Sequence, residues 1–268
     1  MHELDLRALI PSPAFDLLAV FIGLAVGSFA NVCIHRIPLR QSVVRPPSRC
    51  PSCGALIRAF DNVPILSWLW LRGRCRSCRA PVSLRYPLVE AANGLLYLGL
   101  AVVGGPTPWT LVAMPFATTL LVLSLIDLDH HLLPNVITLP GIALGIAASF
   151  VPGWPVRPWE SVLSAAGGYV ALLVVARAYE KARGQEGLGQ GDWKMAAFLG
   201  AFLGWQKMLL VVLLASLGGT VVGLAAMILG RGDMKSKLPL GTFLGAAALF
   251  VLFGGDVVLA WYAGLFRG

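Results

Sequence analysis

The chain has too little charge to be a soluble domain. Asp, Glu, Lys and Arg make up 13% of its 268 residues against 57% hydrophobic residues, and mean hydropathy is +0.77. Such a balance lies far outside the range of soluble globular folds and leaves a multi-spanning membrane protein. Also missing are repeats of fixed period and low-complexity tails. Met1–Pro13 lacks the basic stretch that opens a cleavable signal peptide, so the first apolar run reads as a permanent helix. Nor is there a strand-borne Gly-rich loop with a Walker lysine, or a complete G-x-G-x-x-G, which argues against a phosphate-cradling site.

What is present is a series of apolar stretches near the roughly 20 residues that cross a bilayer core of about 30 Å. They predict an all-α polytopic fold of about eight transmembrane helices, over 14–34, 87–104, 110–127, 134–151, 161–179, 193–206, 207–229 and 240–262. The sixth is shorter than a comfortable span. Its status is tested by charge, because Lys and Arg are retained on the cytoplasmic side. With both termini outside, 17 of the 21 basic residues fall inside, ten of them arginines between residues 35 and 86. Removing the sixth span would place Arg231, Lys235 and Lys237 outside, so eight helices are kept. The same bias explains the net charge of +8 without nucleic acid, and attraction to anionic lipid follows from it.

The expected organisation is a first transmembrane helix at 14–34, a cytoplasmic insert at 35–86 and a transmembrane core at 87–262. An insert so short buries little apolar surface and needs a staple. Cys50-Pro-Ser-Cys53-Gly54 and Cys75-Arg-Ser-Cys78 supply two C-x-x-C knuckles at the spacing of a four-thiolate zinc site. Four thiolates leave no open coordination position, so such a zinc is structural. Two disulfides are the competing reading, disfavoured where thiols are kept reduced. Cys33 lies in the first helix and reads as a small buried apolar residue.

Carboxylates in apolar segments are expensive, and two stand out: Asp127, where the third helix reaches the inner face, and Asp192, in Gly189-Gln190-Gly191-Asp192 at the start of the sixth. Between them the chain crosses outward and back, which returns both to one leaflet. Two carboxylates held close in a poorly solvated place share one proton, the arrangement of an aspartic protease, and need no metal. Gly187, Gly189 and Gly191 would permit positive φ and leave room for an extended peptide. Helix capping is the plainer role for each acid alone. Asp129, His130 and His131 read as solvated loop residues, and Lys194 could meet Asp192 or reach toward the interface.

These motifs together resemble the bacterial type IV prepilin peptidases, the G-x-G-D aspartyl proteases of the inner membrane. The resemblance runs through Gly27-Ser28-Phe29-Ala30-Asn31-Val32, His35-Arg36-Ile37-Pro38, the two knuckles, Arg85–Glu90, Ile126–His130 and Gly187–Lys194. It implies removal of a short basic leader from prepilins and pseudopilins at the cytoplasmic face. It also implies methylation of the new amino terminus with S-adenosylmethionine, although the sequence carries no cofactor fingerprint of its own. Asp127 and Asp192 match the family's catalytic positions. Two departures are visible: Asn135 follows Leu-Pro where the family often has Asp, and the usual Pro-Phe-Gly-Pro reads Pro239-Leu240-Gly241-Thr242. A proton-coupled transporter, with the two aspartates as relay, is the alternative from another class; the absence of repeats and the placement of both acids at helix ends weigh against it.

Overall fold

A computed structural model describes residues 12–185, 187–229 and 238–265. The basic loop at 231–237, Arg7, Arg267 and the first eleven residues, on which parts of the orientation count and the signal-peptide reading rest, lie outside the described residues. The helices are α1 (Ser12–Arg36), the short α2 (Leu66–Trp70), α3 (Arg85–Gly104), α4 (Pro108–His130), α5 (Asn135–Ala148), α6 (Pro158–Arg183), α7 (Gln190–Ile228) and α8 (Leu240–Gly264). Among the described residues there is no strand, only two isolated bridges in the insert. The chain is an all-helical, multi-pass membrane protein.

Among the described residues six helices are long and apolar enough to cross a membrane. The difference from eight has two causes. At 14 residues α5 rises about 21 Å, less than a bilayer core. The sixth and seventh expected helices are both present and abut without a loop at Gly204, whose φ of 76° and ψ of 170° are not helical, so that together they form the single long segment α7. The described residues fall into two compact units, 12–122 and 123–265.

In the first unit α1 packs on α3 through glycines, as helices do where lipid supplies no hydrophobic drive between them. A Cβ on Gly23 would lie 2.8 Å from Tyr97 Cβ, and one on Gly27 would lie 2.8 Å from Glu90 Cα. Asn93 seals the pair by donating to Gly23 O at 2.7 Å, and accepts from the Thr118 hydroxyl at 2.8 Å. The insert is tied to this frame through Ile65, whose N–H donates to Glu90 Oε2 at 2.8 Å. Ile65 holds a φ of 61°, a conformation a β-branched residue rarely adopts.

The second unit is built around the first half of α7. Residues Met195 to Gly204 are buried without a break, so this segment is apolar on every side because it is covered on every side. It was short for a lipid-facing span because it serves as core. Ser161 donates its hydroxyl to Ala201 O at 2.7 Å, and Gly168 admits the Ala196 carbonyl, to which a Cβ would come within 2.8 Å.

Candidate active site and metal centre

Asp127 sits in the last turn of α4 and is 5% exposed. Its Oδ2 accepts the Thr242 N–H at 2.8 Å and lies 3.3 Å from the Thr242 hydroxyl, which also donates to Ser124 O at 3.0 Å. Thr242 occupies the first turn of α8, whose amino terminus favours an anion; its N–H is shared between Asp127 Oδ2 and Pro239 O, the latter at 3.1 Å. Gly241 makes the approach feasible: a Cβ there would lie 2.9 Å from Asp127 Cγ and 2.9 Å from Leu133 Cδ1.

Asp192 sits in the first turn of α7 and its Oδ2 accepts the Gly189 N–H at 2.9 Å. The capping role that sequence allowed is therefore filled, and it anchors one carboxylate oxygen. Leu133 joins the two acids. It touches Gly241 beside Asp127, and a Cβ on Gly191 would lie 2.7 Å from Leu133 Cβ. Asp192 is also within electrostatic reach of Asp127. The ends of α4, α7 and α8 thus gather two carboxylates, each with an oxygen fixed by a helix amino-terminal N–H.

The glycines act through packing. Gly189 has φ of −73° and Gly191 is helical, so neither uses a positive φ; Gly191 is filled by Leu133, and Gly187 by Tyr179. Only at Gly189 does a Cβ find space, its nearest neighbour being Asp192 Oδ2 at 3.4 Å. Lys194 donates to Asn135 Oδ1 at 2.8 Å, tying α7 to α5, while Asp129, His130 and His131 are exposed. Thr242, Gly241 and Leu133 had no assigned role in the sequence.

The four knuckle cysteines converge: their sulfurs all lie within 4.8 Å of one another, with Cys50 Sγ and Cys78 Sγ 3.8 Å apart. Tetrahedral zinc with Zn–S near 2.3 Å requires S···S separations of about 3.8 Å. The two knuckles repeat one design. Gly54 N–H donates to Cys50 O at 2.9 Å and Arg79 N–H to Cys75 O at 3.0 Å, and both turning residues have positive φ, 70° and 61°. Backbone N–H groups of Cys53 and Ser52 pull the Cys50 thiol down to about 6, which favours a thiolate at neutral pH. This cluster can hold a metal such as zinc.

Residues 21–103 match the bacterial peptidase A24 N-terminal domain, and residues 114–224 match the type IV leader peptidase family. A prepilin leader peptidase/N-methyltransferase from Aeromonas hydrophila is 38% identical over 283 residues, covering 97% of each chain. The chain belongs to the type IV leader peptidase family. Members under the same name in Pseudomonas putida and Myxococcus xanthus are 38% and 44% identical, over 92% and 84% of this chain and 93% and 67% of theirs. No solved structure matches this chain.

Proposed function

We propose that this family member is a membrane aspartyl endopeptidase that removes basic leaders from prepilins and pseudopilins at the cytoplasmic face, and that Asp127 and Asp192 are its catalytic pair. The observation that carries the assignment is the convergence of two carboxylates around Leu133, each with one oxygen anchored by a backbone N–H. Anchoring fixes each carboxylate's rotamer and directs its other oxygen to the reacting groups.

With one proton shared, the ionised acid removes a proton from water as the water oxygen attacks the scissile carbonyl. The protonated acid hydrogen-bonds the carbonyl oxygen and stabilises the charge that develops there. When the C–N bond breaks, a proton passes to the leaving amine, and the pair returns to its starting protonation. The leader meets the site from the cytoplasm while the substrate's apolar stem stays in the bilayer.

Two further roles follow from the relatives' name and the cysteines. Zinc held by Cys50, Cys53, Cys75 and Cys78 staples the insert and, with four thiolates, offers no position for catalysis. When bound, S-adenosylmethionine supplies an electrophilic methyl group for the new amine.

The test is cleavage of a prepilin-type peptide by purified protein. Asp127→Asn and Asp192→Asn should each lower kcat by more than about 100-fold with the thermal unfolding midpoint kept. Undiminished cleavage in either folded variant rejects the pair.

A further inference from the structure

The insert turns an apolar face outward at α2, whose sequence is Leu66-Ser-Trp-Leu-Trp70. Trp68 forms the inward side: its indole N–H donates to Val82 O at 3.1 Å, and its ring fills the space over Gly73. Leu66, Leu69 and Trp70, spaced i, i+3 and i+4, share the opposite face, and all three are exposed, Trp70 to 83%. Phe60 and Val63, also exposed, line one cleft with Leu66 and Trp70, which makes the patch continuous. A contiguous apolar surface of this kind marks an interaction site.

The level at which the patch is held identifies its occupant. Ile65, the residue before α2, donates its N–H to Glu90 Oε2 at 2.8 Å. Glu90 lies one turn and a half into α3, which begins at Arg85 and is long and apolar enough to span a bilayer. At 1.5 Å per residue that is about 7.5 Å from the start of the helix. Interfacial helices bury their apolar faces to about 5–10 Å, at the boundary of headgroups and acyl chains. α2 therefore starts at interface depth beside a membrane-spanning helix.

Charge gives the chemistry of the surface it meets. Between Ile37 and Leu84 the insert has eight arginines, all exposed, and a single acid, Asp61, which Arg76 already binds at 2.6–3.0 Å. Arg58 and Arg76 flank the patch, their guanidiniums 5.7 and 5.2 Å from the Phe60 ring centroid, and Arg72 and Arg74 follow closely on Trp70.

We propose that the face formed by Phe60, Val63, Leu66, Leu69 and Trp70 docks into the anionic lipid leaflet in which α1 ends and α3 begins. The apolar side chains enter the upper acyl region, where tryptophan is favoured, and the guanidiniums around them bind headgroup phosphates. A basic leader peptide is a poor occupant of the same face, since it would meet eight like charges and one paired carboxylate. The inference needs only that α1 and α3 span the bilayer, so it stands apart from the peptidase assignment.

The test uses full-length, zinc-loaded protein with fluorotryptophan in lipid nanodiscs, where the fluorine resonance that Trp70→Phe removes reports Trp70. In discs containing phosphatidylglycerol, a lipid spin-labelled high on its acyl chain should broaden this resonance, and a neutral aqueous gadolinium chelate should scarcely affect it. Phosphatidylcholine discs, or Arg72→Gln with Arg74→Gln, should cut the lipid-borne broadening at least about twofold. Leu66→Ser with Leu69→Ser should raise broadening by the chelate at least about threefold, with zinc content unchanged in every variant. Broadening by the chelate alone in the parent would mean that the patch faces water, and overturns the proposal. Broadening by neither agent would mean that protein covers Trp70, a second copy of this chain included, and overturns it too. Equal lipid-borne broadening in both kinds of disc overturns the choice of an anionic leaflet.

Discussion

Thr242 is where this chain holds a carboxylate by means its family's usual proline cannot supply. Proline has no N–H, so a Pro at this position would remove the 2.8 Å bond to Asp127 Oδ2 and the hydroxyl with it. The substitution is structurally mild, because first-turn positions of helices tolerate proline. Thr242→Pro is therefore expected to fold and to lower kcat for leader cleavage about tenfold with KM little changed, since a hydrogen bond to a charged group contributes ~1.5–3 kcal/mol. Thr242→Val, which keeps the N–H, should lose less than about fivefold, and Thr242→Ser should restore the parent rate. A Pro variant with parental kcat would show that Asp127 needs no such anchor. The acids were legible in the sequence because a carboxylate in an apolar segment has few inexpensive explanations. Their anchors were not, because the donors are backbone N–H groups of Gly189 and Thr242, and backbone donors leave no side-chain signature. The glycines misled for a related reason: Gly191 reads the same whether its missing Cβ is replaced by a peptide or, as here, by Leu133.

At the scale of elements, composition located eight helical segments but could not distinguish one long broken helix from two joined by a loop. The distinction rests on Gly204, whose φ of 76° and ψ of 170° fall in a region open essentially to glycine alone. Its surroundings are tight as well, with a Cβ placed 3.2 Å from Glu160 Oε1 and 3.3 Å from Val156 Cγ2. Gly204→Ala should cost ~1–3 kcal/mol and lower the thermal unfolding midpoint in detergent. The helical Gly167, where a Cβ meets nothing within 4 Å, is the control: Gly167→Ala should leave the midpoint unchanged or raise it. Equal midpoints for Gly204→Ala and the parent would mean that α7 can pass this point unbroken. The convergence of the knuckles, by contrast, was legible, because each C-x-x-C turn points two sulfurs at one centre and Gly54 marks where the first turn must reverse. Glu90 was visible only as part of a motif; its bond to Ile65 depends on an insert conformation that no local pattern encodes.

Across the whole molecule, the carboxylate pair and the cysteine cluster belong to different compact units. Asp127, Leu133, Gly189, Asp192, Gly241 and Thr242 all lie within residues 123–265, and the four knuckle cysteines within 12–122. Every bond described as holding the carboxylates is made inside the second unit. Zinc, in turn, stabilises folding by the free energy of its own binding, so its loss should loosen the insert first. Gly73, just before the second knuckle, packs on Trp68 of α2, with a Cβ placed 2.8 Å from Trp68 Cζ2, so a loosened knuckle also releases α2. Cys75→Ser, or extraction of the metal by a strong chelator, is thus expected to lower zinc below one per chain and to speed limited proteolysis of the insert at least about tenfold more than it slows leader cleavage. Zinc content, limited proteolysis and peptide cleavage on one preparation read all three. Cleavage lost in step with the insert's proteolysis would mean that the carboxylate pair depends on the metal-bound insert.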